Sequence, residues 1–247
     1  MPPRVTLLGV PIDPLTQADA VMRIRGMLAE PRFHHVMTPN SEMLVEACRN
    51  TAFRKILQAA ALNLPDSIGL KWMAHLTGQT LPARVAGVDT VMALLKNLPE
   101  EHAVFLLGAA EGVAERAGGV LKKMNPRLKI AGTYAGSPGR EDAQTIIDRI
   151  CQAQPHLLLV AYGAPKQDLW IAEHARVLLS VRVAMGVGGT FDFLAGTAHR
   201  APRWMRSVGL EWLWRVLLEP WRLKRIWNAV VVFPILVMRY GREAPTL

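Results

Sequence analysis

The chain has 247 residues, 51% of them hydrophobic and 20% charged. That is enough for one large domain or two small ones with a sizeable core, and it excludes a disordered tail protein. Ordinary Gly and Pro usage excludes low-complexity and collagen-like classes, and the only cysteines, Cys48 and Cys151, cannot build a disulfide framework or a Cys-rich zinc site. A formal charge of +9 favours an anionic partner: nucleic acid, a phosphorylated substrate or anionic lipid.

The segment from Met1 to Pro14 has one Arg, a short apolar run and then Asp13, with no secretory h-region or cleavage site. The expected address is the cytosol, with both cysteines reduced and packed as small hydrophobes. Val5–Ile12 predicts a strand. Thr16–Glu30 predicts a helix, with Thr16 and Asp19 in capping-box spacing. Phe33–Met37 predicts a strand, Ser41–Ala60 one long helix, and Ala61–Leu64 a short strand ending at Pro65-Asp66. Helices are expected over Ile68–Leu76 and Asp89–Leu98. In the second half, strands over Ala103–Leu107, Leu128–Thr133, Leu157–Ala161 and Val181–Val187 alternate with helices over Gly112–Met124, Glu141–Ala153 and Gln167–Ala175. This rhythm predicts an α/β protein with a mostly parallel sheet flanked by helices. The strands are near-continuous apolar runs, as a sheet covered on both faces requires.

The composition changes near His199. From Arg200 onward there are nine Lys/Arg and three Glu, and five of the seven tryptophans. Residues 1–199 are therefore read as the α/β core and 200–247 as a basic, Trp-rich helical appendage. Its longest apolar run, Ala229 to Met238, carries Pro234 and falls short of the ~20 residues that span a bilayer.

In an open α/β sheet, ligands bind beyond the carboxyl ends of the strands. The residues just after the strands are Thr38-Pro39-Asn40, Pro65-Asp66-Ser67, Gly108-Ala109, Tyr134 to Gly139, Gly163 to Gln167 (with Lys166), and Gly188 to Asp192. Glycine lets a backbone approach a phosphate closely, and helix N-termini add N–H donors. Asp66 has two readings, a helix N-cap or a general base in the cleft. Thr38 and Asn40 share a side of an extended segment; the alternative is a turn in which Asn40 or Ser41 caps the next helix. Asp192 also reads as a turn or cap residue. No metal motif is present, and His34-His35 point to opposite faces of a strand, as structural residues rather than ligands. A phosphate site without a divalent cation relies on Arg, Lys and helix N-termini.

Five blocks occur in order: Thr38-Pro39-Asn40-Ser41-Glu42, Pro65-Asp66-Ser67-Ile68-Gly69, Arg84 to Asp89, Gly163 to Ile171, and Gly186 to Asp192. With Arg200-Ala201-Pro202, Gly209 to Trp212 and Glu219-Pro220, they resemble the WecG/TagA/CpsF family of bacterial glycosyltransferases over about residues 5 to 226. The resemblance implies a Rossmann-like core and an inverting transfer of an N-acetylhexosamine-type sugar, N-acetylmannosamine or a relative, from a UDP donor. The acceptor it implies is a polyprenyl-diphosphate-linked sugar, in teichoic acid, capsule or exopolysaccharide synthesis. It also implies no cofactor, no obligatory metal, and a C-terminal extension that associates with the inner face of the cell membrane.

Carried over residue by residue, Asp66 matches the proposed catalytic base. Thr38 and Asn40 match positions near the sugar, Arg84 and Gln167 substrate contacts, and Asp192 a position near the nucleotide. Arg215, Arg222 and Arg225 match arginines of the extension, expected to fold over the cleft and bind phosphate oxygens. The chain departs from many relatives in having Ser67, not Gly, after Asp66, and Asp168, not Glu, after Gln167. The competing classes are a nucleic-acid-binding protein, which the charge and the interleaved Trp and Arg allow but no motif supports, and a silent membrane-surface scaffold with the same core. Nucleic acid is not an expected partner; pairing of two subunits through the apolar appendage is an open expectation.

Overall fold

A computed structural model describes residues 3–199, 201–202, 205, 211–218 and 223–245. The chain opens with β1 (Val5–Leu7) and β2 (Val10–Ile12), which pair antiparallel. The sequence predicts one strand here. Leu8 and Gly9 both take positive φ (50° and 75°), the backbone of a two-residue hairpin turn, and fold the segment back on itself.

Helix α1 (Gln17–Ala29) carries the expected capping box between Thr16 and Asp19. After β3 (His34–Met37), the predicted single helix is two, α2 (Ser41–Arg49) and α3 (Thr51–Ala59). Asn50 breaks it. Its side chain accepts from the Phe53 N–H while its own N–H still closes on Glu46, so it ends one helix and caps the next. There follow β4 (Leu62–Asn63), α4 (Ile68–Leu76), α5 (Gly87–Lys96), β5 (Val104–Gly108), α6 (Val113–Met124), β6 (Ile130–Tyr134), α7 (Arg140–Ala153), β7 (Leu157–Ala161), α8 (Lys166–His174) and β8 (Val183–Gly186). A further short helix, α9 (Thr190–Ala195), was not predicted. The C-terminal part holds α10 (Glu211–Leu218), α11 (Leu223–Trp227), a π-helical turn (Asn228–Val232) and α12 (Phe233–Tyr240).

Six strands form one wholly parallel sheet in the order β4-β3-β8-β7-β5-β6, separate from the hairpin. Strand alternation sorts the core. Val104 and Leu106 of β5, Leu157 and Leu159 of β7, and Val183 and Met185 of β8 face α1, α5, α6 and α9. Their neighbours Phe105, Leu107, Leu158, Val160 and Ala184 face α7 and α8. Every one of these residues is at most 3% exposed, which is why the strands read as unbroken apolar runs.

A second cluster joins the hairpin to α2, α3 and α4, and Phe233, Leu236 and Val237 of α12 are buried in it. The tail beyond α12 runs along the hairpin: Leu8 and Gly9 donate their N–H groups to the carbonyls of Gly241 and Arg242. Both cysteines are free, Cys48 buried and Cys151 half-buried. The paired histidines do part to opposite faces: His34 Nε2 lies 3.1 Å from Glu30, and His35 Nε2 lies 3.6 Å from Asp168. Among the described residues no helix is long and apolar enough to cross a membrane.

Candidate active site

Because all six strands run the same way, their carboxyl ends lie at one edge. Asp66 sits there, two residues after Leu64, which completes the β4 side by donating to the Met37 carbonyl. Its own N–H bonds to Pro39 O at 2.9 Å, and the next loop returns with Val85 N–H on Pro65 O at 2.8 Å. Three loops are thus stitched together by backbone alone.

The Asp66 carboxylate is held at both oxygens. Oδ1 lies 3.3 Å from Arg84 Nη2, and Oδ2 accepts the Gly87 N–H at 3.0 Å. Sequence left two roles open for this residue, and the structure refines the capping one. Ser67 caps α4, accepting from Leu70 N–H, whereas Asp66 serves the N-terminus of α5, where Ala86 offers no capping side chain. The Ser67 that stands where many relatives have Gly has an extended backbone open to any residue (φ −153°), and its hydroxyl shares a 3.0 Å hydrogen bond with Ser41 Oγ.

Thr38 comes close to this carboxylate. A Cβ added to Gly87 would lie 3.3 Å from Thr38 Oγ1 and Cγ2 and 3.5 Å from Asp66 Oδ2, so Gly87 is where the two side chains converge. Asn40 is the N-cap of α2, its Oδ1 accepting from Met43 N–H at 3.0 Å. Glu42, in the first turn of the same helix, accepts from Arg225 Nε at 2.6 Å. Arg225 therefore reaches from the C-terminal part of the chain to the edge that carries Asn40. Arg222 and the side chain of Arg215 lie outside the described residues.

The other strand ends are built mainly of backbone. Gly108 (φ +96°) and Ala109 (φ +65°) follow one another in left-handed conformation after β5, and Gly163 (φ +76°) follows β7. The β5–α6–β6 connection runs one way along the sheet and β7–α8–β8 the other, so the crevice between β5 and β7 is the topological switch point where such folds take ligands. Tyr162 lines the Gly108 side of it, and burial pushes its phenol well above the ordinary range. Lys166 is exposed at the start of α8. Gln167 is buried, its Oε1 accepting from both Gly163 and Gly188 N–H. Asp192 is half-buried in α9; its Oδ1 accepts from Thr197 Oγ1 at 3.3 Å, and its Oδ2 would lie 3.8 Å from a Cβ on Gly189.

The fold thus assembles two groups at one edge: Thr38, Asn40, Asp66, Arg84 and Arg225 around β3 and β4, and Gly108, Gly163, Lys166, Gln167 and Asp192 around β5, β7 and β8. β3 and β8 are neighbours in the sheet, so the two groups adjoin along this edge. Sequence reasoning missed Glu42, Gly87 and Gly186 as site residues, although all three lie inside the blocks quoted above. Among the described residues no group of three or more His, Cys, Asp or Glu is arranged to hold a metal ion.

Comparison with known proteins adds a second line. The profile of the glycosyl transferase WecG/TagA/CpsF family matches residues 5–246. An N-acetylglucosaminyldiphosphoundecaprenol N-acetyl-β-D-mannosaminyltransferase from Bacillus subtilis (strain 168) is 35% identical over 195 residues, covering 77% of this chain and 74% of the relative. A protein of the same name from Staphylococcus aureus (strain MRSA252) is 31% identical over 243 residues, 97% of this chain and 94% of that one.

Proposed function

This chain belongs to the WecG/TagA/CpsF glycosyltransferase family, and from that premise we propose that it is an inverting transferase that needs no divalent metal. It moves an N-acetylhexosamine, N-acetylmannosamine or a relative, from UDP to a sugar on polyprenyl diphosphate. The substrates named for the B. subtilis and S. aureus relatives support this choice of sugar and acceptor. The observation that carries the mechanism is the Asp66 carboxylate, fixed at the strand edge by Arg84 and the Gly87 N–H with Thr38 beside it.

In an inverting transfer the acceptor hydroxyl attacks the anomeric carbon from the side opposite UDP, and a base takes its proton as the new C–O bond forms. Asp66 is that base. Two fixed contacts remove its rotational freedom, so it needs no reorganisation at the moment of transfer. Thr38 and Asn40 orient the sugar. The leaving diphosphate gains charge. The glycine-lined crevice at Gly108 and Gly163, Lys166, and the arginines Arg84, Arg215, Arg222 and Arg225 stabilise it, with Asp192 toward the nucleotide. Loss of one of these arginine contacts costs about 10²–10³ in turnover.

The acceptor is a lipid, so the enzyme works at the inner face of the cell membrane. Leu223, Trp227, Val230, Ile235 and Met238 are exposed among Lys224, Arg225 and Arg239. Aromatic and basic side chains of this kind favour an anionic interface. Phe233, Leu236 and Val237 belong to the core, so docking is tested by substitution rather than deletion: Trp227→Glu with Met238→Glu should abolish cosedimentation with anionic liposomes. Retained binding would place the contact elsewhere.

The defining experiment is a screen of UDP-sugars against a short-chain polyprenyl-diphosphate acceptor, with and without EDTA. UDP release and an inverted product, unaffected by EDTA, are expected. A reaction silenced by chelation, or no transfer from any UDP-sugar, would overturn the proposal.

A further inference from the structure

We propose that Gln167 is a positioning residue whose side-chain carbonyl clamps the β7–α8 loop to the β8–α9 loop, and that Gly186 is glycine because the clamp occupies its side-chain space. Gln167 is only 5% exposed. Its Oε1 accepts two backbone N–H groups, from Gly163 and from Gly188, each at 3.0 Å. A carbonyl oxygen has two lone pairs, so both are engaged by the protein itself, leaving this atom nothing to offer a substrate.

The surroundings fit a clamp. A Cβ on Gly186 would collide with Gln167 Nε2 and lie 2.7 Å from Asp168 Oδ1, so any side chain on β8 here would expel Gln167 from its seat. Asp168, 1% exposed, turns inward from the same turn of α8 toward β3, its Oδ1 3.6 Å from His35 Nε2. Gly163 and Gly188 have positive φ (76° and 50°), and no described residue lies within 4 Å of where their Cβ atoms would stand. Among the described residues, none beyond the chain neighbours braces either loop on that side. The Gln167 carbonyl fixes these two glycine peptides relative to each other at the ends of adjacent strands, next to the crevice assigned to the donor. The role of the clamp in turnover rests on that assignment; the clamp itself does not.

Amide exchange in the free protein tests the clamp without any substrate. Gln167→Ala should speed exchange at Gly163 and Gly188 by about tenfold, as expected for losing a hydrogen bond of ordinary strength, and leave Gly87 unchanged. Unchanged exchange at Gly163 and Gly188 would overturn the proposal even if the protein transfers sugar as described.

Steady-state kinetics test its consequence. Gln167→Ala should raise the donor KM about tenfold or more with a smaller change in kcat, through misplaced loops. Gln167→Glu, which keeps acceptor oxygens but loses the amide N–H groups, should restore most of the loss. Gly186→Ala should mimic Gln167→Ala, and the two together should do little more than either alone. Gln167→Glu as impaired as Gln167→Ala, with exchange protection restored, would assign Gln167 to direct substrate contact instead. Fully additive effects of Gly186→Ala and Gln167→Ala would also overturn the clamp. Should Gln167→Glu fail to fold beside Asp168, the exchange data and the Gly186 cycle decide the question.

Discussion

The two halves of the carboxyl edge are made of different materials. Around β3 and β4 the polar groups are side chains held by other side chains and by helix ends: Asp66 by Arg84 and Gly87 N–H, Arg225 by Glu42. Around β5 and β7 they are mainly backbone, with consecutive positive-φ residues at Gly108 and Ala109 and another at Gly163. The difference follows from what each half has to do in the proposed reaction. Proton transfer needs a titratable group in one orientation, whereas a diphosphate is met by N–H groups and close backbone approach. A change at Asp66 should therefore remove chemistry and spare nucleotide binding, and a change in the glycine-lined crevice should do the reverse.

The largest expected effect breaks the comparison most cleanly. Asp66→Asn keeps an acceptor for Gly87 N–H but cannot take a proton. Turnover should fall by about 10³ or more, while UDP affinity measured by titration stays within about twofold. Wild-type turnover in this variant would remove Asp66 from the mechanism, and a matching loss of UDP affinity would mean the halves are not separate.

Phe233→Ala comes next and acts through stability. This residue is fully buried against α2 and α4, with its ring 3.9 Å from where a Gly69 Cβ would stand. Truncation should cost about 3–5 kcal/mol, lowering Tm on the order of 10 °C for a chain of this size. It should also loosen the Arg225–Glu42 contact and so reach the side-chain half. A Tm within about 1 °C of wild type would show that the C-terminal helix is not part of the cooperative core.

Gly108→Ala probes the backbone half. At φ +96° a side chain is strained, and its Cβ would lie 3.0 Å from Ala161 C and from the Tyr162 ring. The cost should be about 1–3 kcal/mol, with donor KM rising more than kcat falls. A drop in kcat at constant KM would place Gly108 in the chemical half instead.

How much of this was legible in the sequence depended on the kind of signal. Buried strands such as Leu157–Ala161 announce themselves because both faces are covered, and Ile68–Leu76 was legible as a helix, although the sequence offered Asp66 as the cap before it and the structure uses Ser67. The hairpin at Leu8-Gly9 was not, since its turn lacks an Asn-Gly or Asp-Gly pair and Leu7 and Val10 on either side are apolar. Nor was the break at Asn50, where one side-chain hydrogen bond outweighs helical continuity. At the site, Asp66 stood out by its position after a strand, but its partners came from loops some twenty residues away, and only folding shows that its oxygens meet Arg84 and Gly87. Gln167 was read as facing substrate, and no local pattern reveals that its carbonyl turns inward to Gly163 and Gly188.

The smallest expected effect lies at the opposite edge of the sheet and separates stability from chemistry along the pH axis. His156, just before β7, accepts the Ala103 N–H on Nδ1 at 3.3 Å, and its ring meets that of His102 edge-on at 5.6 Å. Burial, then for His156 the positive charge of Arg182, holds both rings below the ordinary histidine value of 6.5. Between the depressed folded values and 6.5 the unfolded chain binds more protons, so stability rises with pH in that window. The contribution is complete above about pH 6.5 and is lost as pH falls through the folded values. Protonating Nδ1 also removes the acceptor for Ala103. Wild-type Tm should therefore drop between pH 7.5 and 5, and His156→Asn, which keeps an acceptor without a titrating ring, should drop less. Equal slopes for the two proteins would show that His156 does not titrate in this range. Because this pair sits at the amino ends of β5 and β7, the variant should leave donor KM unchanged, whereas Gly108→Ala at the carboxyl end of β5 should raise it.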